Sequence, residues 1–362
     1  MKIVWKGSFY DASGYGNMSR LFVNHLAKYC DVSIINKSFK PSIDIFELKN
    51  LIGKYNTKEL YEIAISGITP EQYKTILNSK LNYIYTMFET DNIPYKWLPF
   101  FPKPQNFIVP SEFVKNVFIN KAKVIPEKIN VIPIGYDKEL ICPLKKEDVR
   151  KELGIPNDKK VFLTVCDYNP RKGVYELFKA INRFKDNKDI VFLLKFAPIQ
   201  NTKDYIINEI RLRLKNKNVK LVIDFIPDEV LNTLYRAADY LLSPTRGEGY
   251  GLPIIEAMSH GVVPIVTNWG SHLEFVKDSG FLIDYKLEEI KYGDLNSDII
   301  ELYVGHKWAV CNIDSIEHNI YQALNCNQIE KSKQVIEYAE KHEINHNIEL
   351  LLNVCKRDLA IL

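Results

Sequence analysis

Short apolar runs alternate with amphipathic stretches over most of this chain. In the first half the runs fall at residues 3–5, 32–35, 63–65, 83–85, 107–109 and 131–134. In the second half they fall at 161–165, 190–194, 219–223, 240–242, 263–266 and 281–283. Between them, segments such as 17–28, 173–184, 205–215 and 229–238 carry apolar residues at helical spacing. Strands so short and so nearly all-apolar are covered on both faces, which predicts parallel sheets sandwiched by helices, an α/β fold. The alternation restarts near residue 160, after a charged stretch at 135–157 that holds Pro143 and Pro156. Two Rossmann-like domains are therefore expected, residues 1–137 and 138–327. The tail, 328–362, reads as helices with no following strand, expected to pack back on the first domain.

Composition narrows the class. With 46% hydrophobic and 26% charged residues among 362, a collagen, a coiled coil and a disordered chain are excluded. No run approaches the ~18 uncharged apolar residues of a membrane span. Residues 1–7 enter a strand-like segment without an apolar signal region, so no secretory signal is expected. The six cysteines, at 30, 142, 166, 311, 326 and 355, form no C-x-x-C pair. That suits reduced thiols in a cytoplasmic protein.

A net charge of +3 is too small to suggest nucleic acid as a partner. Its distribution is uneven. Up to Asp137 there are 17 Lys+Arg against 12 Asp+Glu, net +5, leaving 31 against 33, net −2. A mildly basic first half suits an anionic acceptor or peripheral contact with a membrane surface.

Candidate chemistry begins at Ser13-Gly-Tyr-Gly16, where a strand is expected to turn into a helix. Glycines at such a turn let the backbone approach a phosphate. Gly14 and Gly16 only approximate the dinucleotide fingerprint, and the next strand ends on Asn36-Lys37 without an acid for a ribose. The sharper signal is Ser243-Pro-Thr-Arg-Gly-Glu-Gly-Tyr-Gly-Leu-Pro-Ile-Ile-Glu-Ala-Met258, a strand, a glycine turn and a new helix. Its two glutamates, Glu248 and Glu256, stand eight apart on either side of the turn. They can hold two sets of hydroxyls flanking a bound diphosphate.

These residues resemble the E-x7-E element of the retaining glycosyltransferases of family 4, which have the GT-B fold. Asp167-Tyr-Asn-Pro-Arg-Lys-Gly173, Ile226-Pro-Asp-Glu229, Leu234-Tyr-Arg-Ala-Ala-Asp239 and Val109-Pro-Ser-Glu-Phe-Val-Lys115 add to the resemblance, as does Thr86-Met-Phe-Glu-Thr-Asp-Asn-Ile-Pro94. It implies two domains facing across a cleft and transfer from a nucleotide diphosphate sugar with retention, without a metal or other cofactor. The acceptor would be a glycan, a lipid-linked glycan or another hydroxyl compound. Glu256 would hold the ribose and Glu248 the donor sugar, and the N–H groups of Gly249, Tyr250, Gly251 and Leu252 would cradle sugar and phosphate. Lys172 and Arg171 would neutralise the departing diphosphate, with Gly14, Gly16 and Arg20 closing from the first domain. Where many members carry an arginine this chain has Cys166 and Asp167, so Arg171 or Lys195 would supply the second cation. Where many carry a first-domain histidine it offers Glu89. A sugar phosphorylase or synthase, or a glycan-binding module without activity, shares the resemblance.

Two features stand apart. His342-Glu-Ile-Asn-His346 fits H-E-x-x-H, but lies in a charged stretch without the apolar flank of a zinc helix, so no metal is expected. Tyr95-Lys-Trp-Leu-Pro-Phe-Phe-Pro-Lys103 gathers four aromatics and two lysines, expected to pack on the first sheet, with an acceptor or membrane patch as the alternative.

Overall fold

A computed structural model describes residues 1–37, 53–198, 202–295 and 297–362. The chain forms two compact units, Met1–Asp137 with His342–Leu362, and Lys138–Lys341. The first unit is built on a parallel sheet of seven strands: β1 (Lys2–Gly7), β2 (Asp31–Asn36), β3 (Gly53–Lys54), β4 (Tyr61–Gly67), β5 (Ser79–Tyr85), β6 (Asn106–Val109) and β7 (Ile129–Val131). Their order is β3-β2-β1-β4-β5-β6-β7. Trp5, Phe22 and Tyr85 meet in its core, with Trp5 stacked on Phe22 at 5.5 Å. The strand expected at 131–134 pairs instead over Ile129–Val131. Pro133 has no N–H to give a ladder, so regular pairing stops before it.

The second unit holds a six-stranded parallel sheet: β8 (Lys160–Asp167), β9 (Ile190–Ala197), β10 (Val219–Ile223), β11 (Tyr240–Ser243), β12 (Val263–Thr267) and β13 (Phe281–Ile283). The order is β10-β9-β8-β11-β12-β13. Phe162, Phe192 and Tyr240 lie in one layer of its core, stacked beneath the helix Val174–Arg183. An antiparallel ribbon that the apolar pattern did not predict follows, β14 (Tyr285–Glu289) with β15 (Lys307–Cys311).

The expectation that both tail helices return to the first domain is corrected here. The helix Gln328–Glu340 stays with the second unit. Val335 and Ala339 are buried, and Ser332 Oγ donates to the Gly261 carbonyl at 2.7 Å. Tyr338 also donates to Asp278 at 2.7 Å. An apolar stripe with a small residue at its contact finds its seat beside the helix Leu252–Ser259. Only the helix Ile344–Ile361 joins the first unit, burying Ile344, Ile348, Leu351 and Cys355. Its entry is fixed by backbone: Tyr136 N–H donates to the His342 carbonyl, and Ile344 N–H to the Tyr136 carbonyl at 2.9 Å.

Asp239 ties the second unit together. One carboxylate oxygen accepts from Arg150 at 2.7 Å and from the Val161 N–H at 2.8 Å; the other accepts from Lys146 and Gln328, both at 2.9 Å. Burial opposes its ionisation, but Lys146 and Arg150 hold its carboxyl below the usual range. Asp239→Ala leaves Arg150, 4% exposed, as an uncompensated buried charge. The expected loss is about 3–5 kcal/mol of unfolding free energy in urea titration; a loss under about 1 kcal/mol would refute this role.

Among the described residues no helix is long and apolar enough to cross a membrane. The aromatic segment forms a short helix, Tyr95–Phe100, with Trp97 buried edge-on to Phe88 while Tyr95 and Leu98 remain exposed. All six cysteines are free thiols.

Candidate functional site

In the second sheet, β8 lies between β9 and β11, so the chain leaves its carboxyl edge in opposite directions on the two sides. Ligands of open α/β sheets bind at such a reversal. Two loops rise there, residues 168–173 after β8 and 244–251 after β11. Asn169 caps the turn of the first by accepting from Arg171 N–H at 2.9 Å. Gly173 ends that turn with φ of 67°, and a Cβ on it would stand 1.9 Å from the Pro244 carbonyl oxygen. The loops are thus in backbone contact, joined further by Arg246 N–H donating to the Arg171 carbonyl at 2.7 Å.

This contact brings together residues 76 positions apart in sequence. Lys172 Nζ donates to Glu248 Oε1 at 2.7 Å, and Arg171 Nη1 lies 3.7 Å from Oε2. Arg171 also donates to the Gly247 carbonyl at 2.6 Å. Glu248 is 8% exposed. Burial alone would raise its carboxyl, but Lys172 and Arg171 outweigh it and bring it to about 2. Glu248 is therefore an anion at ordinary pH, held so by its two cations.

Gly251 follows at φ of 100°, a conformation open to glycine, and begins the helix Leu252–Ser259. Among the described residues no side chain caps that helix. Pro253 has no N–H and that of Ile254 donates to the Gly251 carbonyl at 2.9 Å, so the first turn offers the Leu252 N–H and positive potential beside Glu248. Tyr250 is buried, its ring 5.2 Å from that of Phe275.

Glu256 lies on the same helix. Tyr235 donates to its Oε2 at 2.8 Å. Burial pushes this carboxyl up to about 7; Asp228 adds to the rise, and the Tyr235 hydrogen bond and Lys195 oppose it. The two glutamates of the motif are thus pushed in opposite directions, one by two cations and one by a mostly uncompensated burial.

The first-unit residues behave differently. The expected glycine loop before residue 17 is already helix, which runs Gly14–Leu26. Ser13 is its cap, accepting from the Gly16 N–H at 3.1 Å, so that N–H is engaged within the protein. Arg20 donates to the carbonyls of Phe9 at 2.9 Å and Asp11 at 2.7 Å, bracing the loop that precedes the helix. Glu89 sits in the loop after β5, near enough to Tyr15 to act on it electrostatically. Tyr15 itself donates to the Met87 carbonyl at 3.1 Å. The H-E-x-x-H segment does not form one helical face: Glu343 caps the helix that starts at Ile344, and His342 precedes it. Among the described residues no group of three His, Cys, Asp or Glu is placed to hold a metal ion.

Sequence reasoning missed the support of the Glu248 loop. Arg246 pairs with Glu176 at 2.6 Å and lies 4.7 Å over the Trp308 ring, while Ala309 N–H donates to its carbonyl at 2.9 Å. The ribbon β14–β15 is therefore the back wall of this loop. No local signal marks Trp308, which is 62 residues further along the chain.

Residues 145–303 match the family model of the glycosyl transferases group 1. The chain is 26% identical over 158 residues to an uncharacterized glycosyltransferase of Methanocaldococcus jannaschii, covering 44% of this chain and 39% of the relative's length. Among solved structures, sucrose-phosphate synthase of Thermosynechococcus elongatus superposes with a TM-score of 0.73 at 15% identity, covering 99% of both chains. HepE of Anabaena, solved with UDP and glucose, gives 0.71 at 14% identity, covering 98% of this chain and 99% of that one. The fold is GT-B, two Rossmann-like α/β domains.

Proposed function

We propose that this protein is a retaining, family 4 glycosyltransferase that moves a sugar from a nucleotide diphosphate sugar to a hydroxyl acceptor. The observation that carries the proposal is the buried contact of Lys172 and Arg171 with Glu248 at the start of an uncapped helix. It lies inside the segment that matches the group 1 family. A HepE structure contains UDP-glucose, which makes UDP-sugars a sensible first donor class.

In this reading the N–H groups of Gly249–Leu252 and the two cations hold the diphosphate. Glu256 accepts from the ribose hydroxyls, and Glu248 accepts from hydroxyls of the donor sugar. The bond from the anomeric carbon to the phosphate oxygen breaks as the acceptor oxygen bonds to the same face of that carbon. Charge accumulates on the leaving diphosphate, where Lys172 and Arg171 stabilise it most in the transition state. Glu248, held low by its two cations, is a weak base, so the acceptor's proton passes to the leaving phosphate. The cations stand where a metal would otherwise neutralise charge, so transfer proceeds without one. The first unit takes the acceptor, a glycan, a lipid-linked glycan or another hydroxyl compound.

A thermal-shift screen of UDP-, GDP- and ADP-sugars tests the donor site: at least one raises the melting temperature, and no shift with any defeats the reading. Turnover with the responding donor is expected to persist in EDTA. Loss in EDTA with rescue by a divalent cation would show the metal-free chemistry to be wrong.

A further inference from the structure

Tyr235 lies on the helix Asp228–Ala237 and is completely buried. Packing there would be met by phenylalanine; a buried hydroxyl is costly unless it is bonded. Its hydroxyl has one partner among the described residues, Glu256 Oε2 at 2.8 Å. The ring is held as well, with the His260 ring 5.5 Å away. His260 Nε2 accepts from Cys142 N–H at 3.2 Å, which places its proton on Nδ1, 2.9 Å from the Glu256 carbonyl. Burial holds His260 down to about 4, so this brace is neutral under ordinary conditions. The groups facing the Glu256 carboxyl are Tyr235 and Asp228 from one helix and Lys195 from β9. Asp228 opposes its ionisation, while Tyr235 and Lys195 favour it.

We propose that Tyr235 is a positioning residue of the nucleotide site: its hydroxyl holds one oxygen of Glu256, leaving the other to accept from a vicinal diol, and makes binding depend on the protonation of that carboxyl. The proposal rests on the reading of Glu256 as the ribose ligand. With Oε2 engaged by Tyr235, Oε1 accepts from a ligand hydroxyl when the carboxyl is ionised. A proton on Oε1 removes the charge that strengthens this hydrogen bond and makes the oxygen a hydroxyl donor, so the diol loses a charge-assisted acceptor. Nucleotide binding therefore expels a proton from the site around neutral pH. Tyr235 favours the ionised form, so removing its hydroxyl moves the dependence to higher pH.

The test is calorimetric titration of UDP, GDP and ADP from pH 5.5 to 9 into the wild type, Tyr235→Phe and Glu256→Gln. Wild-type affinity for the nucleotide that binds is expected to fall about tenfold per pH unit below the Glu256 midpoint and to level off above it. In Tyr235→Phe the midpoint rises by about one unit, with wild-type affinity largely regained at pH 9. A Tyr235→Phe profile that is unchanged, or weaker by the same factor at every pH, overturns the positioning role. A Glu256→Gln variant that keeps wild-type affinity and pH dependence overturns the ribose reading beneath it, as does a wild type that binds none of the three. Thermal unfolding of Tyr235→Phe within a few degrees of the wild type separates these results from loss of fold.

Discussion

Lys172→Ala is expected to lower kcat for sugar transfer by about 10²–10³-fold, with a smaller rise in KM for the donor. Under the proposed function, the asymmetry follows from what the ammonium would do before and during reaction. In the unliganded protein it is already neutralised by Glu248 at 2.7 Å, so exchanging that partner for a ground-state diphosphate yields little net binding. As the glycosidic bond breaks, negative charge on the leaving group grows, and the same ammonium becomes more valuable. Alanine also strips Glu248 of its nearest cation, leaving a buried carboxylate with Arg171 at 3.7 Å. Lys172→Arg keeps the charge and is expected to retain more turnover than alanine. A kcat for Lys172→Ala within about threefold of the wild type would defeat the electrostatic account.

Gly173→Ala is expected to destabilise the second unit by about 3 kcal/mol in chemical denaturation and to abolish transfer. Two costs combine. The residue has a left-handed φ of 67°, and its Cβ would lie 1.9 Å from a backbone carbonyl oxygen at Pro244. A backbone atom cannot rotate aside as a side-chain tip can, so the loops must separate and the Lys172–Glu248 contact with them. Gly14→Ala is the matched control: a Cβ there meets nothing within 4 Å, and stability is expected to hold or rise slightly. A loss below 1 kcal/mol for Gly173→Ala would show that the loops do not depend on this close approach.

Most strands of both sheets were legible because parallel strands buried on two faces are nearly all apolar, as in Ile190–Leu194 of β9, whereas the two-residue β3, Gly53–Lys54, carries no such run. The family resemblance picked out Glu248, Glu256 and Lys172 but did not reveal their opposed environments, since Lys172, Arg171 and Tyr235 reach them only through tertiary contact. The first helix was expected to start three residues too late, at Asn17 and not Gly14, because its cap at Ser13 is decided by backbone geometry that composition does not carry. The tail helix Gln328–Glu340 misled for a related reason. Its amphipathic pattern says that it must pack, while Gly261, Asp278 and the small side chain of Ser332 decide where. Trp308 and Arg246 lay beyond sequence reasoning, because a ribbon that supports a loop 62 residues earlier leaves no periodic signature.

The backbone bridge of Tyr136 to residues 342–344 has a consequence for biosynthesis. The whole second unit, Lys138–Lys341, is in effect an insertion between two pieces of the first. Domains fold largely as units during translation. On the ribosome, the sheet made earliest must therefore wait for the last helix to cover it, while the unit made later closes first. Until then the seat of Ile344, Ile348 and Leu351 is uncovered apolar surface in the nascent chain.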